Sequence, residues 1–251
     1  MLVKEQNLRS KLPYTMRYLK ANKLYCFSPP VMLATFAIEI VLALYAFYRY
    51  RSDMVAKLSV ALLVLLALFQ FSEFNVCGQL LGLDSLTWSR FGYVCITFLP
   101  VIGVHLLLTI AKKSAPLLVI GLYSVAAVFA AYFLTVGHGL TASVCVGNYV
   151  IFEVNPNINT LYMLYYYGLE IFALITTVML AKKAKQAKTR RALYGLAIGY
   201  LCLLVPTTTV NIINPETVRG IPSIMCGFAV LLAGFVAFVV LPNAAVLKHK
   251  K

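Results

Sequence analysis

Three carboxylates stand inside long apolar stretches of this chain: Glu39, Glu73 and Glu170. Gln70 precedes Glu73 by one helical turn, Arg90 opens the next apolar stretch, and His105 lies deeper within it. Ionisable groups are expensive in hydrocarbon, and the default reading is functional: a proton relay, an ion path or the counter-charge of a ligand. Gln70, Glu73 and Cys77 are spaced by three and four, so they share one helix face. Two arrangements are open. In one, Glu73 and Arg90, at similar depth on consecutive helices, form an ion pair that lowers the cost of both. In the other, Glu39, Gln70, Glu73, Arg90 and Glu170 line an outward-facing ligand pocket, with Tyr162, Tyr165, Tyr166 and Tyr167 supplying walls and hydroxyls. Glu39 and Glu170 have no basic residue at comparable depth. Each can act as a hydrogen-bond donor to a neighbouring helix or as a proton carrier.

Six cysteines are present. Cys77 ends the second apolar stretch, Cys145 lies in the longest connection, and Cys26 precedes the first stretch on the same side. A Cys77–Cys145 disulfide would tether that connection in an oxidising compartment. Cys95, Cys202 and Cys226 read as small packing residues. No CxxC pair or Cys/His cluster occurs, which argues against structural zinc and iron–sulfur sites. A retinal pigment needs a lysine in the last helix, and Ile221–Leu241 has none. A bis-histidine haem needs two intramembrane histidines, and only His105 qualifies, since His138 is in a loop and His249 in the tail. The same dispersion disfavours a zinc hydrolase. GxSxG and Walker A motifs are missing. No cofactor, no metal and no enzyme are expected.

These residues need a scaffold, and the composition names it. Of 251 residues 61% are hydrophobic and 12% charged, with a mean hydropathy of +0.85. A soluble domain carries about 25% charged residues. Seven stretches are long enough to span a bilayer: roughly Val31–Tyr48, Ala56–Val76, Trp88–Ile110, Pro116–Val136, Thr160–Ala181, Ala192–Ile213 and Ile221–Leu241. The expected fold is an all-α integral membrane protein, a seven-transmembrane helix bundle over 31–242. It is preceded by a basic segment, 1–30, and followed by a basic cytoplasmic tail, 243–251.

The net charge of +14 resolves by position. Fourteen Lys and Arg fall on loops one, three and five and the tail, against Arg90 and Arg219 on the other loops. The positive-inside rule then predicts an N-out, C-in orientation. Lys4, Arg9, Lys11, Arg17, Lys20 and Lys23 resist it, being on the outer side by this count. Tyr14–Tyr25 reads either as a short interfacial helix or as a disordered basic tail. Such charge points to acidic lipid headgroups and a protein partner rather than to nucleic acid. The connection 137–159 carries two β-branched runs around Gly147-Asn148, which reads as a small hairpin lying over the helix ends as a lid, or as an irregular loop. Gly195 and Gly199, and Ala229, Ala233 and Ala237, are small residues suited to close helix packing. Pro100 and Pro206 are expected to kink their helices.

Trp88-Ser89-Arg90-Phe91-Gly92-Tyr93, Phe98-Leu99-Pro100, His105-Leu106-Leu107, Arg190-Arg191 leading into Leu193 and Gly195, and Gly220-Ile221-Pro222-Ser223 together give a pattern. It resembles the seven-helix N-terminal sensory region of bacterial histidine kinases and cyclic-dinucleotide synthases, over about residues 31–242. The resemblance implies a sensory input of N-out, C-in topology in a bacterial inner membrane, which the lack of an Asn-x-Ser/Thr sequon suits. In that family a signalling module follows the last helix, whereas here only Pro242–Lys251 follows. The expected function is therefore a non-enzymatic, sensor-like or accessory subunit acting through a partner in a larger membrane assembly. A small proton- or solute-coupled transporter is the alternative, though it lacks inverted repeats. A purely structural assembly subunit is the other rival.

Overall fold

The computed structural model describes residues 29–50, 53–78, 82–135, 139–146, 149–215 and 220–247, with the side chains of 29, 141–149 and 157 outside that description. The basic segment with its expected interfacial helix, Cys26, His138, the Gly147-Asn148 turn, Arg219 and the last four residues lie outside the described residues.

Seven helices are long and apolar enough to cross a membrane. They are α1 (Pro29–Arg49), α2 (Met54–Gly78), α3 (Ser85–Ile110), α4 (Pro116–Thr135), α5 (Pro156–Lys183), α6 (Ala187–Ile213) and α7 (Ile221–Phe235). The seventh span continues through a π-helical turn, Val236–Val240, into α8 (Leu241–Ala244). The helices α3, α5 and α6 begin three to five residues earlier than hydropathy alone indicates, because their first turns carry polar residues such as Ser85, Asn159 and Lys188. The π-helical turn is a feature that hydropathy does not report. Pro242 comes two residues after it, and a proline ring clashes with the carbonyl four residues earlier. Widening the preceding turn to i→i+5 bonding, with Leu241 N–H donating to Val236 O, relieves that clash. Both α3 and α6 run unbroken through Pro100 and Pro206.

The core sits around α3, which packs against α2, α4, α5, α6 and the strand β1. Its apolar stretch is 78% buried, against 22% for α4 and α5, so α3 is the central post and those two are peripheral. In turn α7 packs on α6, α1 and α2. Gly195 and Gly199 make the α6–α7 approach possible. A Cβ at Gly195 would lie 2.5 Å from Val239 Cγ1, and one at Gly199 2.6 Å from Leu232 Cδ1. Ala229, Ala233 and Ala237 are fully buried.

Alternating helices place the two kinds of connection at opposite ends. One end collects Arg49, Lys57, Lys112, Lys113, Lys182, Lys183, Lys185, Lys188, Arg190 and Arg191. There the Asp53 carboxylate accepts from Ala56 N–H at 2.8 Å, capping α2, and from Val246 N–H at 2.8 Å, tying down the end of the seventh span. The other end carries a two-stranded antiparallel sheet, β1 (Leu140–Val146) with β2 (Tyr149–Val154), in register from Ala142↔Glu153 to Val146↔Tyr149 and bulged between Leu140 and Ala142. A lone hairpin is marginal in water. This one packs β1 on α2 and α3 and β2 on α2 and α7, with Leu140, Val150 and Phe152 buried.

Candidate functional site

Beneath the hairpin the bundle interior is polar. Glu39 of α1, Gln70 and Glu73 of α2 and Glu170 of α5 are each at most 3% exposed. Neither carboxyl oxygen of Glu39 or of Glu73 has a hydrogen-bond partner among the described residues, and the same holds for Gln70 Nε2 and Glu170 Oε2. The Glu39 and Glu73 side chains are close enough to interact electrostatically. Two carboxylates cannot both carry charge in so dry a site without a counter-charge or a proton. Cys226, one turn into α7, lies within electrostatic range of Glu39, Glu73 and Glu170.

Arg90 does not supply the counter-charge. No Glu73–Arg90 ion pair forms: both Glu73 oxygens lack a partner, as does Arg90 Nε, and Arg90 is only half-buried. Helix rotation explains it. A Cβ on Gly92 would meet Ser72 Oγ and the Phe69 ring, so Gly92 faces α2. Two residues on a helix subtend roughly 200°, which turns Arg90 away from α2 although its depth matches that of Glu73. Nor do the remaining acids form an open, outward-facing pocket, because their side chains are sealed from solvent.

The roof is aromatic and joined to the acids. Phe152 of β2 packs against Phe69 and Tyr93, with centroids 6.2 and 5.2 Å apart. Tyr93 in turn is within electrostatic range of Glu73. The backbone N–H of Val150 donates to Ser223 Oγ at 3.2 Å, and the Ser223 hydroxyl faces Glu73. A hydroxyl can accept one bond and donate another, so Ser223, bonded to the hairpin backbone, keeps a proton to donate toward Glu73, though no bond between them is formed. Ser223 opens α7 next to Pro222 at its N-terminus.

The tyrosines of α5 divide their roles. Tyr162 OH lies 3.0 Å from Thr97 Oγ1, and Tyr165 OH donates to Thr97 O at 2.7 Å. Both therefore brace α5 to α3 just before Pro100. Tyr166 lines a small cavity with Glu170, Tyr200 and Cys226. Its volume is about 10 Å³, room for roughly one water. Tyr200 OH, without a partner among the described residues, is fitted into the space left by Gly103, where a Cβ would collide with it. Cys77 is disulfide-bonded, while Cys95, Cys202 and Cys226 are free. The side chains of Cys26 and Cys145 are outside the described set.

Sequence reasoning named Glu39, Gln70, Glu73 and Glu170, and all four are buried. It missed Ser223, Cys226, Tyr93 and Tyr200. The signals were faint: Ser223 and Cys226 are three apart on the last helix, hence on one face, and Tyr93 follows Arg90 by three. Among the described residues no His, Cys, Asp or Glu grouping has the geometry to hold a metal ion. No protein-family model matches the chain, and no curated protein matches its sequence.

Proposed function

We propose that this chain is a non-enzymatic, sensor-like membrane module that acts through a partner. Its responsive element is the buried acid cluster of Glu39, Glu73 and Glu170, coupled to the outer hairpin. The observation that carries this reading is the hydrogen bond from Val150 N–H to Ser223 Oγ, made by a hydroxyl close to the unbonded Glu73 carboxyl. A proton or small cation taken up at Glu73 changes what the Ser223 hydroxyl can donate to, and thus how firmly β2 is held. The groups around Glu73 are Glu39 from α1, Tyr93 from α3 and Ser223 and Cys226 from α7. None of them brings a positive charge.

The Cys77–Cys145 bridge belongs to the same reading, since β1 packs against α2 and a tether there would limit how far the hairpin lifts. The resemblance to sensory seven-helix regions of bacterial inner membranes fits it as well, with the hairpin outside and the basic end in the cytoplasm.

The test is hydrogen exchange of β2 in the full chain, reconstituted in nanodiscs, across a pH and sodium series. The wild-type hairpin should change its protection with one of these variables. Glu73→Gln should abolish the change, and Arg90→Ala should leave it intact. A hairpin indifferent to both variables refutes the proposal. If vesicles containing the chain conduct protons in a Glu73-dependent manner, the transporter reading replaces it. Co-purification in a gentle detergent followed by mass spectrometry identifies the partner, and a chain recovered alone counts against the subunit role.

A further inference from the structure

At the opposite end of the bundle, the turn between α3 and α4 borders an open cleft of about 500 Å³. Its polar wall carries Lys112, Lys113, Thr109 and Ser114, and its apolar wall Val119 and Ile120, with no acidic residue in the lining. Both lysines are exposed. Neither has an ion-pair partner among the described residues.

The backbone fixes these lysines in place. Lys113 N–H donates to Leu108 O at 2.9 Å and Lys112 N–H to Thr109 O at 3.1 Å. That is the paired closing pattern of a helix C-terminus, in which the first residue past the cap adopts the left-handed conformation and is normally glycine. Here it is Lys112, with φ +53°, the one described non-glycine residue in that region. A glycine would close the turn with less strain. A lysine there spends conformational energy to hold an ammonium at the mouth of the cleft. At the cleft, His105 Nδ1 and Tyr123 OH lie 3.4 Å apart, joining α3 to α4.

We propose that this cleft is a binding site for one acidic phospholipid. Its phosphate oxygens accept from the Lys112 and Lys113 ammonium groups and from the Ser114 hydroxyl, while an acyl chain runs along Val119 and Ile120. Charge complementarity selects an anion. The apolar wall selects a lipid over free phosphate, because Ile120 is 62% and neighbouring Leu117 85% exposed, a surface that an acyl chain covers and free phosphate does not. Basic pockets between membrane helices recognise anionic headgroups in this way.

The experiment is native mass spectrometry of the full chain with phosphatidylglycerol or phosphatidylcholine added to the detergent. Wild type should retain phosphatidylglycerol in preference. Lys112→Gly with Lys113→Gln removes both charges while placing glycine where the backbone suits it, so the fold is kept. That variant should lose roughly tenfold in phosphatidylglycerol retention with phosphatidylcholine unchanged. Lys182→Gln with Lys183→Gln, on α5 at the same end, should behave as wild type. Three results would overturn the site: undiminished retention in the Lys112/Lys113 variant, equal loss in the Lys182/Lys183 variant, or displacement of the lipid by inorganic phosphate.

Discussion

The Val150 amide in β2 donates to the Ser223 hydroxyl of α7 at 3.2 Å, so the two-stranded sheet hangs from the first turn of the last span. Both residues are buried. Removing the acceptor leaves the amide unsatisfied, at a cost of about 1–3 kcal/mol. Ser223→Ala should therefore speed hydrogen exchange at Val150 while the helix amides of α3 stay protected. Equal protection at Val150 in variant and wild type would show that the hairpin is held by apolar contacts alone.

The α6–α7 interface makes a ranked prediction. An added methyl at Gly195 meets Val239 Cγ1 and Cβ, whereas at Gly199 it meets the far end of Leu232. Valine is stiff about χ1, and a leucine methyl can swing aside. Overpacking costs about 1–3 kcal/mol where neighbours cannot yield. Thermal unfolding in detergent should show Gly195→Ala lowering Tm more than Gly199→Ala, and the reverse order would contradict the packing described.

Much of this architecture was legible in the residues. Span number follows from unbroken apolar length, which a bilayer makes a strong constraint. The depth of Glu39, Glu73 and Glu170 followed from counting along the helices. Azimuth did not. Arg90 and Glu73 match in depth, yet the pair depends on how α3 is rotated, and Gly92 and Ser72 decide that by their close approach. Ser223 was invisible for a related reason: its acceptor role exists only because a strand 73 positions earlier folds back over α7. The π-helical turn before Pro242 could have been anticipated from the proline, but hydropathy carries no trace of it.

One pH effect at the hairpin end has a definite sign. The Thr87 hydroxyl, with the Thr87 amide, donates to Asp84 at the N-cap of α3 and holds its carboxyl below the usual aspartate range. A carboxyl depressed in the folded state stabilises above its unfolded pKa, and the benefit is lost as pH falls through the folded value. Acidification should therefore fray the first turn of α3, seen as faster exchange at the Thr87 amide. In Asp84→Ala that turn should exchange quickly at every pH. A wild-type Thr87 amide that stays protected well below the aspartate range would count against the cap.

Asp53 ties two distant segments with one carboxylate, through the Ala56 and Val246 amides. An N-cap substituted by alanine costs about 0.5–2 kcal/mol, and here a second amide loses its acceptor too. Asp53→Ala should expose Ala56 and Val246 to exchange together. Asp53→Asn keeps one carbonyl oxygen, so it should protect Ala56 or Val246 but not both. Independent behaviour of the two amides in Asp53→Ala would separate the cap from the tie.

The acid cluster itself is tested by coupling energies. Glu39 and Glu73 lie within electrostatic range of each other, whereas Glu73 and Arg90 do not pair. Residues that interact depart from additivity by about 0.5–3 kcal/mol, while independent ones add to within about 0.5 kcal/mol. A double-mutant cycle of Glu39→Gln and Glu73→Gln, read as detergent unfolding, should be non-additive. Once either acid is an amide, the other no longer faces a second carboxyl, so the second substitution changes less than the first. The cycle of Glu73→Gln with Arg90→Ala should be additive, since removing a cation that touches neither carboxyl oxygen leaves the Glu73 site as it was. An additive first cycle would dissolve the cluster into separate buried acids. A strongly coupled second cycle would restore the Arg90 ion pair that the rotation of α3 forbids.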